Sequence, residues 1–246
     1  MSIEVTEAEP GVVVVTVDYP PVNALPVAGW FALADAVTNA GRDPGTHVVV
    51  LRAAGRGFNA GVDIKEIQQK GHGALVGANR GCYAAFGAVY DCEVPVIVAV
   101  QGFCLGGGVG LVGNADVVVA SDDATFGLPE VDRGALGAAT HLSRLVPQHL
   151  MRAMYYTAST VTAEQLHHFG SVYRVVPPAE LEGAALEVAK QIAAKDTRVI
   201  RAAKKAINGI DPQDVHRSYR YEQGFTFELN LTGASDEARQ RFLEGK

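Results

Sequence analysis

Pro95-Val96-Ile97-Val98-Ala99-Val100-Gln101-Gly102-Phe103-Cys104-Leu105-Gly106-Gly107-Gly108 is the stretch whose reading decides the fold. Val94 to Val100 is apolar throughout and rich in β-branched residues, as expected of a strand buried on both faces. Gly106, Gly107 and Gly108 then enter the apolar positions Val109, Leu111 and Val112. Three successive glycines at a helix entrance let the main chain approach a ligand closely and point free N–H groups at it.

An upstream segment has the same build. Gly55-Arg56-Gly57-Phe58-Asn59-Ala60-Gly61-Val62-Asp63 follows an apolar run, Val48-Val49-Val50-Leu51, and leads into Ile64-Lys65-Glu66-Ile67. Glycines there permit unusual dihedrals, and a helix starting near Asp63 directs its free N–H groups outward. Around these two loops, strands alternate with helices. Val12 to Val17 and Val48 to Leu51 read as strands, and Trp30, Phe31, Leu33, Ala34 and Val37 recur between them at helical spacing. Ala78 to Tyr90 repeats that spacing, Val117 to Val119 and Val172 to Val176 read as later strands, and nearly everything after Pro178 reads helical. Asp196 is expected to cap a helix, and Asp211-Pro212 to open another with proline at its first position. The expectation is an α/β core over residues 1–177 and a helical C-terminal region over 178–246 that folds back or reaches a neighbouring subunit.

Composition excludes several function classes. The 246 residues are ample for one large core, and a formal charge of −6 offers no basic footprint for nucleic acid or an anionic membrane. Met1 to Pro10 carries acids where a secretory signal needs a basic and then an apolar segment. The stretch from Val96 to Ala120 is broken by glycines, Gln101, Asn114 and Asp116, unlike a membrane helix of about 20 apolar residues. A cytoplasmic protein fits. Cys82, Cys92 and Cys104 form no C-x-x-C pair and read as buried thiols. His167-His168 point to different helix faces, so no metal pair is expected. Gly108 to Gly113 matches G-x-G-x-x-G, yet several residues separate it from its strand and Asn114-Ala115-Asp116 ends the helix early, which argues against a dinucleotide fingerprint.

The segment Gly57 to Glu66, with Pro95 to Gly102 running into Gly106-Gly107-Gly108, resembles the enoyl-CoA hydratase/isomerase, or crotonase, superfamily. Asn23-Ala24-Leu25 and Ala124-Thr125-Phe126-Gly127-Leu128-Pro129-Glu130 resemble two further segments of that family, in order along the chain. The resemblance implies a ClpP-like spiral of ββα units with a C-terminal trimerisation portion, in a homotrimer or dimer of trimers. It implies an acyl-coenzyme A small-molecule substrate, with coenzyme A part of the substrate and no prosthetic group. Position for position it places an oxyanion hole at the N–H groups of Val62 and Gly107. Two preset donors there stabilise an enolate or tetrahedral oxyanion by several kcal/mol in a water-poor site. Val22, Asn23, Ala24, Leu25, Asn59, Ala60, Gly61, Ile64, Gly106 and Leu128 fall where the family contacts coenzyme A or the acyl group.

The choice of chemistry turns on one absence. Family hydratases use two glutamates; here Glu130 holds one position and Gly110 the other. Glycine cannot move a proton, so ordinary hydration, which uses both acids to position water and shuttle protons, is disfavoured. A lone Glu130 suits double-bond isomerisation, or hydrolytic carbon–carbon cleavage in which a base activates water against a ketone. Val17 to Asn23, Arg133 to Gln148 and Glu222 to Asn230 resemble a subgroup that opens the ring of a steroid-derived bicyclic dione thioester. His141 is a candidate second acid/base, with a structural histidine the simpler account. Asp63 either orients the oxyanion loop or caps the helix, and Asn59 touches either ligand or loop backbone. Tyr219, Tyr221, Phe225 and Phe227 read as core or subunit contact, or as the lining of a bulky apolar pocket. A crotonase fold that binds acyl-coenzyme A without processing it is the remaining alternative.

Overall fold

A computed structural model describes residues 1–243. Its strands are β1 (Ser2–Glu9), β2 (Val12–Asp18), β3 (Val48–Ala53), β4 (Val96–Val100), β5 (Phe103–Leu105), β6 (Val117–Ser121), β7 (Thr125–Gly127), β8 (Thr160–Thr162) and β9 (Arg174–Val176). The helices are α1 (Val27–Arg42), α2 (Ile64–Lys70), α3 (His72–Tyr90), α4 (Gly107–Val112), α5 (Ala139–Leu142) and α6 (Gln148–Thr157). They continue as α7 (Ala163–His168), α8 (Leu181–Ala193), α9 (Thr197–Ile210), α10 (Val215–Leu231) and α11 (Ala234–Leu243).

The valine runs form a six-stranded sheet in the order β1-β2-β3-β4-β6-β9, parallel except for the β1–β2 hairpin. They are apolar on both faces because helices cover both faces. Val12, Val14, Val48, Val50, Ile97 and Ala99 pack under Leu181, Ala185 and Val188 of α8. The alternate residues Val15, Val17, Val49, Leu51, Val96 and Val98 face the larger core with Trp30, Leu33 and Val37 of α1 and Phe86 and Val89 of α3. A smaller sheet, β5-β7-β8, lies beside it, and an isolated bridge joins Asn59 to Cys104 of β5. Large-sheet strand, small-sheet strand and helix thus recur as β4-β5-α4 and β6-β7, the expected spiral of ββα units.

Two expectations are corrected, and one strand is new. Val94 and Pro95 stand before β4, because proline has no N–H for the ladder; only its carbonyl pairs, accepting from Val49 N at 3.0 Å. The acidic N-terminus forms strand β1, on the sheet edge, where exposed Glu4 and Glu7 cost nothing and discourage edge pairing. Asp211 closes α9 instead of opening α10, whose cap is Asp214, accepting from Arg217 N at 2.9 Å. Asp211 instead takes Arg144 and the Tyr90 hydroxyl as partners.

The C-terminal helices pack on the core of their own chain. Lys204 of α9, only 3% exposed, sets Nζ 2.8 Å from both carboxylate oxygens of Asp116, which also accepts from Val96 N at 2.7 Å. Lys204 is buried and Asp116 reaches solvent, so removing the cation costs a charge-assisted hydrogen bond but does not strand a buried carboxylate, and Lys204→Met is expected to lower stability by about 2 kcal/mol in urea unfolding. A loss below about 0.5 kcal/mol would show that the pair does not anchor α9.

Candidate active site

The Val22–Leu25 segment runs beside the Ala60–Asp63 loop like a parallel strand. Leu25 N donates to Gly61 O at 2.9 Å, Asp63 N to Leu25 O at 2.9 Å, and Ala60 N to Val22 O at 3.1 Å. The amide of Asn59 fixes the loop from beneath: its Oδ1 accepts from Gly61 N at 2.8 Å and its Nδ2 donates to Asn23 O at 2.6 Å. Asn23 is at φ 53°, a left-handed conformation tolerated by asparagine, and its side chain ties Tyr19 N, Ala54 O and Gly57 O together. Asn23 and Asn59 are 3% and 1% exposed, so both serve the loop backbone.

Against this loop lies the entrance of α4. Gly61 is at φ +86°, and a Cβ there would stand 3.2 Å from Gly107 N. Only glycine permits both the turn and the approach. Neither Val62 N–H nor Gly107 N–H has an acceptor among the described residues. Gly107 is the first residue of its helix, where the N–H has no intrahelical partner. Asp63 caps α2, its carboxylate accepting from Lys65 N at 3.0 Å and Glu66 N at 3.4 Å.

Glu130 stands on the 3₁₀ turn Val131–Arg133 that follows β7. Its Oε1 meets Gly106 so closely that a Cβ there would overlap it. Parts of the residue reach solvent, but Oε2 is buried without a hydrogen-bond partner. Burial pushes its pKa up to about 8; a hydrogen bond from its own N–H and the charge of Arg133 oppose the shift, and the charge of Glu222 adds to it. A carboxyl with one buried, unsatisfied oxygen and a raised pKa has the proton affinity expected of a candidate acid/base group.

Val62, Gly107 and Glu130 line one cavity, continuous with solvent. Its walls are largely apolar: Ile64, Ile67, Leu75, Ala78, Cys82 and Phe86 on one side, with Ala135, Leu136, Ala138 and Tyr219 opposite. Ala60, Val62, Ile64 and Arg133 also line a second groove, with Tyr19, Val22, Ala24 and Asp63. The Ala60–Ile64 segment therefore borders both an outer groove and the apolar chamber. Leu25 and Leu128 are fully buried beneath it.

At Gly110 the reason for the missing carboxylate is steric. A Cβ on Gly110 would overlap the ring of Phe86, which lies edge-on to Trp30 at 5.7 Å between centroids. Among the described residues, Glu130 is the only carboxylate that lines the chamber. His141 is elsewhere. Its ring packs behind Phe86 and Tyr219, at 5.0 and 4.8 Å between centroids, and neither nitrogen has a partner. Burial, with the charges of Arg144 and His216, pushes its pKa down to about 3, so the ring stays neutral.

Glu222 of α10 was not assigned from sequence. Its carboxylate accepts from Ala139 N at 3.0 Å and Thr140 N at 3.1 Å, holding the start of α5 beside the chamber. Burial raises its pKa, and those hydrogen bonds oppose the rise. Some 80 residues separate the partners, so no local pattern announces the contact. Among the described residues no group of three or more His, Cys, Asp or Glu could hold a metal ion, and no helix is long and apolar enough to cross a membrane.

Comparison with known proteins gives the same picture from a different direction. The family model for enoyl-CoA hydratase/isomerase matches residues 7–246. The chain is 72% identical, over 99% of its length and 95% of the relative's, to the (7aS)-7a-methyl-1,5-dioxo-2,3,5,6,7,7a-hexahydro-1H-indene-carboxyl-CoA hydrolase of Rhodococcus jostii (strain RHA1). It is 69% identical to the protein of the same name from Mycobacterium tuberculosis (strain ATCC 25618 / H37Rv), over 99% of each chain. Among solved structures, an enoyl-CoA hydratase/isomerase from Pseudoalteromonas atlantica T6c superimposes with a TM-score of 0.89 at 25% identity, covering 100% of this chain and 98% of that one.

Proposed function

The chain belongs to the enoyl-CoA hydratase/isomerase family, and we propose that within it the protein is a ring-opening hydrolase of a bicyclic, dioxo-substituted indene-carboxyl-CoA thioester. The observation that carries this reading is the chamber: one carboxyl, Glu130, faces a largely apolar space beside two free N–H donors, and Phe86 fills the place of a second acid. The identity to two hydrolases named for that thioester supports the substrate.

The reaction follows from these groups. Glu130, ionised, takes a proton from water as the oxygen adds to a ring ketone. The carbon–carbon bond beside that carbonyl breaks, and its electron pair passes through the ring double bond to the thioester oxygen. Val62 N–H and Gly107 N–H hold that oxygen and stabilise the charge arriving there. Protonated Glu130 then returns its proton to carbon. The hydroxyl of water ends in a new carboxylic acid and its proton on the ring, so one water is consumed.

Because the base form of Glu130 is needed and burial holds its pKa near 8, kcat/KM is expected to rise with pH, about tenfold per unit below pH 8, and then level. A rate falling across that range would make Glu130 an acid in the first step. Product analysis with the dione thioester tests the function directly. Ring opening yields a carboxylate, hydration of an enoyl group a hydroxyl, and simple binding leaves the thioester intact; only the first is compatible with the proposal. The reading includes a cytoplasmic location, no prosthetic group and a homotrimer or dimer of trimers. Val199, Ile207 and Ile210, 63%, 60% and 81% exposed along one side of α9, support a subunit contact.

A further inference from the structure

Hydrolytic cleavage beside a ketone creates negative charge twice. One charge reaches the thioester oxygen, which Val62 and Gly107 address. The other develops on the ketone oxygen when water adds, and persists as the carboxylate of the opened ring. No donor of the oxyanion loop is left for it.

Part of the chamber's lining is polar. Ala60, Val62, Ile64 and Arg133 mark the side it shares with the outer groove, whereas Ile67, Leu75 and Arg239 mark a different side, shared with a cleft between α2, α3 and α11. Arg239 of α11 is held by Asn230 Oδ1 at 3.0 Å and by Asp236, leaving its side chain 16% exposed. One helical turn beyond Leu75, Asn79 lines the same chamber, and its Nδ2 is buried with no hydrogen-bond partner. A buried amide donor without an acceptor is costly, and a ligand oxygen that accepts from it recovers that cost. Gln223 Nε2 fixes the Asn79 backbone by donating to its carbonyl at 2.8 Å.

We propose that Asn79 and Arg239 form a second oxyanion site in the acyl chamber, receiving the ketone oxygen under attack and then the carboxylate that ring opening produces. This extends the ring-opening reading and depends on it. Asn79 supplies a neutral donor and Arg239 the charge, so affinity there increases as the oxygen becomes anionic. Arg239 also lines the cleft between α2, α3 and α11.

The experiment compares two probes on wild type, Arg239→Met and Asn79→Leu: the ring-opened carboxylate thioester, and a saturated bicyclic thioester lacking both ring ketones. Arg239→Met is expected to weaken the carboxylate probe about tenfold or more and leave the ketone-free probe unchanged. Asn79→Leu is expected to lower kcat on the dione about tenfold with the ketone-free probe again unchanged, and Arg239→Lys to restore part of the carboxylate affinity. Equal weakening of both probes would make the residues structural and overturn the inference, as would no change in either. If wild type fails to open the ring, the functional reading falls and takes this site with it. Ring opening with an unchanged probe ratio overturns this site alone.

Discussion

Glu130→Gln is expected to bind the coenzyme A ester as wild type does and to lower turnover by about 10²–10⁴-fold. Glutamine keeps the shape of the side chain against Gly106 and has no proton to exchange in this pH range. The thioester contacts belong to Val62 and Gly107 backbone, which the substitution leaves alone. Single-turnover rates and direct binding separate the two effects, and a variant retaining full turnover would remove Glu130 from the chemistry. The same substitution carries a stability signature. Burial raises the folded pKa above the unfolded value of 4.5, so wild-type stability declines as pH rises from there toward about 8. The glutamine variant lacks that decline, and its melting temperature should exceed that of wild type at pH 9 and approach it at pH 5.

Gly110→Glu is expected to destabilise the fold by about 3 kcal/mol and to confer no hydration of crotonyl-CoA. Restoring the family's second acid on paper places its Cβ inside the Phe86 ring. That ring is 2% exposed and contacts Trp30, His141 and Tyr219, so it has no free space to enter. A new carboxylate in this apolar surround adds its own desolvation cost. Denaturant midpoints read the first effect and loss of conjugated absorbance the second. Rapid hydration by a folded Gly110→Glu protein would show that Phe86 yields and that the glycine, by itself, sets the reaction. Pairing the change with Phe86→Ala removes the overlap and should recover part of the stability.

Both predictions concern residues whose identity was readable and whose surroundings were not. Gly110 is visible as an absence in a family pattern, but α4 and α3 had to be packed before Phe86 could be seen occupying its place. Asn23 reads as a ligand contact by position and Asn59 as a contact of either ligand or loop backbone, and both amides bond loop carbonyls and N–H groups. His141 has the right chemistry for an acid/base and the wrong place, behind two aromatic rings, because α5 turns its buried side toward α10. Glu222, Asn79 and Arg239 reach the chamber's surroundings from α10, α3 and α11, and nothing local in their sequence distinguishes them from other polar residues of amphipathic helices.

By itself the sequence determined strands β2, β3, β4, β6 and β9 and the two glycine loops, because these depend on short-range rules: β-branched runs buried on both faces, glycine at positive φ, and N–H groups freed at a helix start; likeness to the family picked out the lone acid. Tertiary structure alone decided which groups meet around the chamber. Burial of the Glu130 carboxyl, exclusion of a second acid by Phe86, withdrawal of His141 and arrival of Arg239 are set by packing between elements distant in the chain, where desolvation and steric overlap depend on neighbours no sequence window contains.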